Sequence, residues 1–232
     1  EHFRSDPNGW LFLTGEQHMH IDTEVAPPGQ SQTLRFTYNS RDDPDHETPK
    51  GKILYLWDAL GTEPRIHQEI WTEVKFRFSD NFDLEGHPSY QTDPDPPAAG
   101  LKLIFHNYYR LEDGFSGPNR FGTSFAHGND GHLKMQQGGD NWDNQYMFNS
   151  SSIANHPYQM FDGETWHVIR HYIRIGPDST NLPHIARWWM NGAFQGESRA
   201  EYPGSGVPYL TDIGFGVNMN RFAPHDQYIH WA

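Results

Sequence analysis

In the stretch "LKLIFHNYY" (101–109), His106 and Tyr108 lie two residues apart, so in a strand their side chains share one face. An imidazole and a phenol so placed can take and give a proton. Gln136, Arg77 and Arg187 add an amide and two guanidinium groups that can neutralise a carboxylate. Side chains of these types can serve as general base, general acid and anion-binding groups. A polar strand face also arises without any function, and on that reading His106 is an ordinary strand histidine.

A second motif is "HIARWWMNGAFQGE" (184–197), with adjacent tryptophans just before Asn191-Gly192. If this is a strand, Trp188 and Trp189 point to opposite faces, so one belongs to the core and the other needs a different explanation. Packing under a loop is one explanation, and a stacking surface for a ligand is another.

The elements that must position these residues are short and strand-like. The 22 glycines and 17 prolines cut the chain into brief segments, with no repeat and no low-complexity tract. In "EIWTEVKFRFS" (69–79), Ile70, Thr72, Val74, Phe76 and Phe78 alternate with Trp71, Glu73, Lys75 and Arg77. In "WHVIRHYIRIG" (166–176), His167, Ile169, His171, Ile173 and Ile175 alternate with Val168, Arg170, Tyr172 and Arg174. Segments 101–109, 132–137, 184–192 and 210–220 behave similarly. This patterning predicts an all-β fold of two packed antiparallel sheets in a single domain spanning 1–232. The proline- and acid-rich stretch 85–100 is expected to be a long loop within it.

Composition limits the partners. With 17 basic and 30 acidic residues the net charge is −13, which argues against nucleic acid and against an anionic membrane surface. The longest apolar runs are only a few residues, so no helical membrane insertion is expected. The chain has no cysteine, hence no disulfide framework and no thiol chemistry. It opens at Glu1 without Met or a signal-peptide core, as either a processed mature protein or an excised domain would, and of the two we favour processing after secretion.

The run "FDGETWHVIRHYIRIG…HIARWWMNGAFQGE…YLTDIGFGVNMN" resembles the closing half of concanavalin A-like jelly-roll domains in secreted carbohydrate-active proteins, and the nearest relatives it suggests are the polysaccharide-lyase-like members. The resemblance covers roughly residues 53 to 230. It implies a β-jelly roll with one curved sheet whose concave face is open and takes a polysaccharide. Matched to that pattern, Trp188 and Met190 fall in the core, while Arg187 and Trp189 fall on the open face. The same alternation assigns Trp71, Glu73, Lys75, Arg77, Ile104, His106, Tyr108, Lys134, Gln136, Arg170 and Tyr172 to the cleft. Trp189 would then be a sugar-stacking platform, because a flat ring offers apolar area to the C–H face of a pyranose.

Jelly-roll lyases use a His/Tyr/Arg/Gln set for β-elimination, and His106, Tyr108, Arg77 and Gln136 carry over by role. The Q-x-H and Y-x-K-x-G-x-Y signatures of those lyases are absent. The E-x-D-x-E strand of jelly-roll glucanases is also missing, since Trp71 stands where its central aspartate would be in Glu69-Ile70-Trp71-Thr72-Glu73. The resemblance further implies a structural calcium ion near the termini, with Asp6, Asn8 and Asp130 as candidate ligands and no other cofactor. Turn formation alone also explains Asp6-Pro7-Asn8-Gly9.

Among the 15 histidines, His18 and His20 with Glu24 have a cupin-like spacing but lack the flanking glycines, and a solvated strand face explains them better. His167 and His171, set among isoleucines, read as core histidines. Three functions stay open on the sequence: a lyase-type enzyme, a non-catalytic carbohydrate-binding module, and a structural subunit of an extracellular assembly or phage appendage.

Overall fold

The computed structural model describes residues 10–14, 18–38, 50–53, 68–82, 101–109, 119–127, 133–139, 142–146, 162–176, 184–200, 209–219 and 226–232. The expected loop at 85–100 lies outside them. Period-two segments become strands throughout: β1 (Trp10–Thr14), β2 (Met19–Asp22), β3 (Thr33–Tyr38), β4 (Lys50–Ile53), β5 (Glu69–Phe78), β6 (Leu101–Tyr109) and β7 (Asn119–His127) in the first half. Then follow β8 (Leu133–Gly139), β9 (Trp142–Tyr146), β10 (His167–Arg174), β11 (His184–Met190), β12 (Ala193–Ala200), β13 (Tyr209–Met219) and β14 (Gln227–Trp231). No α-helix occurs among the described residues.

The strands form two sheets, ordered β1-β4-β13-β6-β7-β8-β9 and β12-β11-β10-β5-β14-β3-β2. Every neighbouring pair is antiparallel. The expected two-sheet architecture is therefore present.

The alternation read in β5, β10 and β11 sends one face of the second sheet into the sandwich. Phe76, Phe78, Ile169, Ile173, Trp188 and Met190 are buried there. They pack into one cluster with Leu101, Leu103, Ile104, Tyr108, Phe121, Met135, Leu210 and Ile213 of the first sheet. Burying a side chain of this size contributes about 1.5–3 kcal/mol over leaving it in water. The Phe121 and Trp188 rings meet across the layers with centroids 6.1 Å apart. Gly196 lies beneath Trp188, where a Cβ would come within 2.7 Å of Cζ2, so the tryptophan requires glycine at that site.

Asn191 (φ 49°) and Gly192 (φ 82°) make the tight turn from β11 to β12. Two positive φ values suit the right-handed twist of a hairpin, and Asn-Gly is the pair that adopts them at least cost. Asn191 also ties the turn to β10: its amide N–H donates to the Val168 carbonyl and its Oδ1 accepts from the Val168 N–H, each at 2.8 Å. The turn fixes the register that puts Trp188 inward and Trp189 outward.

Candidate functional site

The outward face of the second sheet carries side chains in cross-strand rows. One row runs Trp71, Tyr172, Arg187 and Glu197 across β5, β10, β11 and β12. The next runs Glu73, Arg170, Trp189 and Phe194 across the same strands. Their rings converge: Trp71 lies 4.8 Å from Tyr172 and 5.3 Å from Trp189, and Trp189 lies 5.5 Å from Phe194. Trp71 is 56% exposed and Phe194 58%, so this is an apolar patch open to solvent rather than part of the core.

Ion pairs hold the charged groups between the rings. Glu73 accepts from Nε and Nη2 of Arg170. Glu197 accepts from Arg187 at 2.5 Å and from Arg199 at 2.6 Å, and these two hydrogen bonds hold its carboxyl below the usual range. Arg187 stacks its guanidinium over the Tyr172 ring at 5.7 Å. The pairs are too exposed to add much stability, but they fix where the cations stand. Tyr172 hydrogen-bonds Glu69, and burial together with that carboxylate raises its pKa.

Beyond β5 the face continues onto β14 and β3, where Arg77, His230 and Arg35 stand opposite one another. His230 Nε2 lies 3.0 Å from Asp22 Oδ2. The other carboxylate oxygen of Asp22 accepts the backbone N–H groups of Glu24 and Val25 at 2.9 and 3.1 Å. Burial opposes the charge on Asp22, but the bonds from His230 and those amides outweigh it and hold its pKa low. Burial likewise holds His230 below its ordinary value, against the pull of Asp22 and with help from Arg77 and Arg35. Tyr228 stands edge-on to the His230 ring at 5.1 Å. Among the described residues of this face, cations (Arg35, Lys75, Arg77, Arg170, Arg174, Arg187, Arg199) outnumber carboxylates (Asp22, Glu69, Glu73, Glu197), in a chain of net charge −13.

Trp71, Glu73, Lys75, Arg77, Arg170, Tyr172, Arg187 and Trp189 thus share the face expected of them. The structure corrects the placement of Ile104, His106 and Tyr108. All three are at most 1% exposed, and His106 and Tyr108 aim into the sandwich from the opposite sheet. His106 Nε2 bonds Thr72 Oγ1 across the layers at 2.7 Å, and the Tyr108 ring packs on His184 at 5.4 Å. Gln136 and Lys134 lie on β8, also in the first sheet, so they share no sheet with Trp189.

His167 and His171 are core residues, as read from their isoleucine neighbours; His171 bonds Thr123 at 2.9 Å. The candidate calcium ligands Asp6, Asn8 and Asp130 lie outside the described residues. Among the described residues no group of three His, Asp or Glu side chains is arranged to hold a metal ion. Sequence reasoning missed Asp22, Arg35, Tyr228, His230 and Phe194. The alternation in "QYIHW" was the one local signal for two of them.

No protein-family description matches the chain, and no curated protein matches it in sequence. Solved structures do match. The alginate lyase Aly36B aligns with TM-score 0.59 at 14% identity over 94% of this chain and 82% of its own. A double mutant of that lyase in complex with alginate tetrasaccharide aligns at 0.58 and 15%, over 96% and 82%. The endo-β-1,4-glucuronan lyase of the fungus Trichoderma reesei aligns at 0.56 and 14%, over 97% and 89%. At such identities the likeness establishes the fold, a concanavalin A-like jelly roll.

Proposed function

We propose that this chain is a secreted carbohydrate-active protein that binds an acidic polysaccharide across the outward face of its second sheet. The observation that carries the reading is the aromatic patch of exposed Trp71 and Phe194 with half-buried Trp189 between them, and the arginines fixed beside those rings. Aromatic rings take the C–H faces of successive sugars, and guanidinium groups take hydroxyls and carboxylates. The solved lyases of the same fold act on polyuronates, which agrees with a cationic face on an acidic chain. Affinity electrophoresis against acidic and neutral polysaccharides tests it. Retardation by an acidic polymer, reduced in Trp71→Ala and Trp189→Ala, is the expected result; no retardation by any polymer overturns the proposal.

Cleavage by β-elimination is the second reading. It is favoured by a histidine oriented by a carboxylate beside two arginines, with half-buried Tyr228 next to it. With Asp22 ionised, neutral His230 carries its proton on Nε2 and leaves Nδ1 as a lone pair. In the elimination a base takes the proton alpha to the uronate carboxylate, the bond to the glycosidic oxygen breaks, and an acid protonates that oxygen as the double bond forms. His230 is only 1% exposed, so a sugar reaches it only by displacing its covering side chains, whereas Tyr228 is touched directly. Growth of the ultraviolet absorbance of the unsaturated product on incubation with uronate polymers selects this reading, and retention without product selects the binding module.

A further inference from the structure

The cross-strand row over β2, β3, β14 and β5 reads His20, Arg35, His230 and Arg77. His20 is exposed and both arginines are half-buried, yet His230 between them is 1% exposed. The imidazole is therefore roofed on its outer side. Among the described residues two rings of this face meet it: Tyr228 edge-on at 5.1 Å, and Trp166 at 6.4 Å with a 60° tilt. Each ring carries a cation, Arg35 over Tyr228 at 5.7 Å and Arg77 over Trp166 at 5.6 Å. Two ring and guanidinium pairs thus enclose the dyad of His230 and Asp22.

The two rings are not equally free to move. Tyr228 belongs to β14, where it pairs with Thr37, and its backbone N–H donates to Ser79 Oγ at 3.2 Å. Trp166 lies one residue beyond the ladder of β10 with β5, which ends at His167 and Phe76. Its main chain is nonetheless held on both sides. Before it, Asp162 accepts the N–H groups of Glu164 and Thr165 at 2.9 and 2.8 Å, and Gly163 (φ 72°) packs so closely on Asp80 that a Cβ would come within 2.5 Å. After it, His167 is buried. The part of Trp166 that can move is the half-buried indole, by rotation about its side-chain bonds, with little more than one partly exposed cation–π contact to give up.

We infer that Trp166 is a swinging cover of the His230 and Asp22 dyad: its indole shields the imidazole in the free chain and turns aside to let a sugar ring reach Nδ1. This rests on the elimination reading and adds a gate to it. Closed, the cover keeps water from the base; open, a sugar ring takes the place of the indole beside the imidazole and restores the apolar contact. Asp22 stays on Nε2 in both positions, so the lone pair remains on Nδ1.

The test needs no sugar. Diethyl pyrocarbonate is attacked by the lone-pair nitrogen of a neutral imidazole, which keeps an ethoxycarbonyl group while ethyl carbonate leaves and the other ring nitrogen gives its proton to water. Applied to the full chain at neutral pH, with the labelled peptides mapped by mass, it should modify His20 readily and His230 at least about tenfold more slowly, since His230 reacts only while the cover is open. Trp166→Ala should bring His230 to within about threefold of His20, with Trp166→Phe, which keeps a ring, in between. His106 and His171, buried in the core, should stay unlabelled in each variant and so show that the fold is kept; if Trp166→Ala labels them, the comparison is read from Trp166→Phe instead. Tyr228→Ala should accelerate labelling far less than Trp166→Ala. The cover is overturned if His230 of the parent reacts as fast as His20, if it reacts no faster in the Trp166 variants, or if Tyr228→Ala exposes it as much as Trp166→Ala does. Ultraviolet absorbance of the unsaturated product from alginate is a separate readout: its absence refutes the elimination reading and leaves the shielding of the dyad standing, whereas its presence with unchanged labelling in the Trp166 variants refutes the cover alone.

Discussion

His106 Nε2 and Thr72 Oγ1 hydrogen-bond at 2.7 Å across the interior, joining β6 of one sheet to β5 of the other. The His106 ring also lies 5.1 Å from that of His171, which bonds Thr123 on β7, so these two buried histidines form a polar seam between the sheets. Their role is to fix the sheets against one another, and it carries a pH dependence.

Burial pushes the His106 pKa down to about 4, against a weaker pull from the backbone of Phe121, and burial lowers His171 as well. Histidine in the unfolded chain titrates near its ordinary 6.5, so between pH 6.5 and about 4 the unfolded state binds more protons. Stability is therefore full above pH 6.5, falls as the pH drops through that window and levels off below about 4. The His106 contribution over the whole window is of order 3 kcal/mol. Urea titrations at pH 7.5 and 5 should show the loss in the parent and a shallower one in His106→Gln. An unchanged slope in the variant would assign the acid sensitivity to other groups.

Phe76 tests the packing of β5. It is fully buried, with Phe78 at 5.5 Å, His167 at 5.6 Å and Trp231 at 6.1 Å. Phe76→Ala should cost about 3–5 kcal/mol in denaturant titration, as large-to-small changes in a closed core do. A loss below about 1 kcal/mol would mean that β5 is slipped by one residue.

Glu73 separates stability from recognition. Its pair with Arg170 is about half exposed on both sides, so Glu73→Gln should change stability by less than about 1 kcal/mol. The same change frees a guanidinium beside Trp189 and should strengthen binding of an anionic polysaccharide several-fold, since the competing carboxylate is gone. Weaker binding instead would show that the Glu73 carboxylate itself accepts from sugar hydroxyls.

How much of this was legible in the chain depended on how cleanly each strand alternates. β5 and β10 have one apolar and one polar face, so alternation separated Trp71 and Arg170 from the core side; in β11 it set Trp188 and Trp189 on opposite faces, and only the family resemblance chose Trp189 as the outward one. β6 is apolar at both parities, and its pairing with β7 slips between Lys102 and Ile104, so periodicity carried no information about the face of His106. Even its Phe105 ring, outside the core cluster, is covered by Lys102 and Arg120, which removes the usual contrast between faces. Asp22 and His230 were out of reach for a different reason. They are 208 residues apart, and only the pairing of β14 with β3 and of β3 with β2 brings them together.

The tryptophan pair gives the sharpest test of the candidate face. Trp188 is 1% exposed, packed on Phe121 and seated over Gly196, so Trp188→Ala should cost about 3–5 kcal/mol. Gly196→Ala should be costly too, because its Cβ would collide with a ring that has no room to retreat. Trp189 touches only Trp71 and Phe194 among the described rings, both of them more than half exposed. Trp189→Ala should therefore leave stability within about 1 kcal/mol and weaken polysaccharide binding, since surface substitutions cost little while central aromatics dominate interfaces. Chemical unfolding and affinity electrophoresis on the two variants decide the matter. If Trp189→Ala binds like the parent, the aromatic row is not where sugars stack, and a protein-binding or structural role for the exposed Trp71 and Phe194 patch becomes the better account.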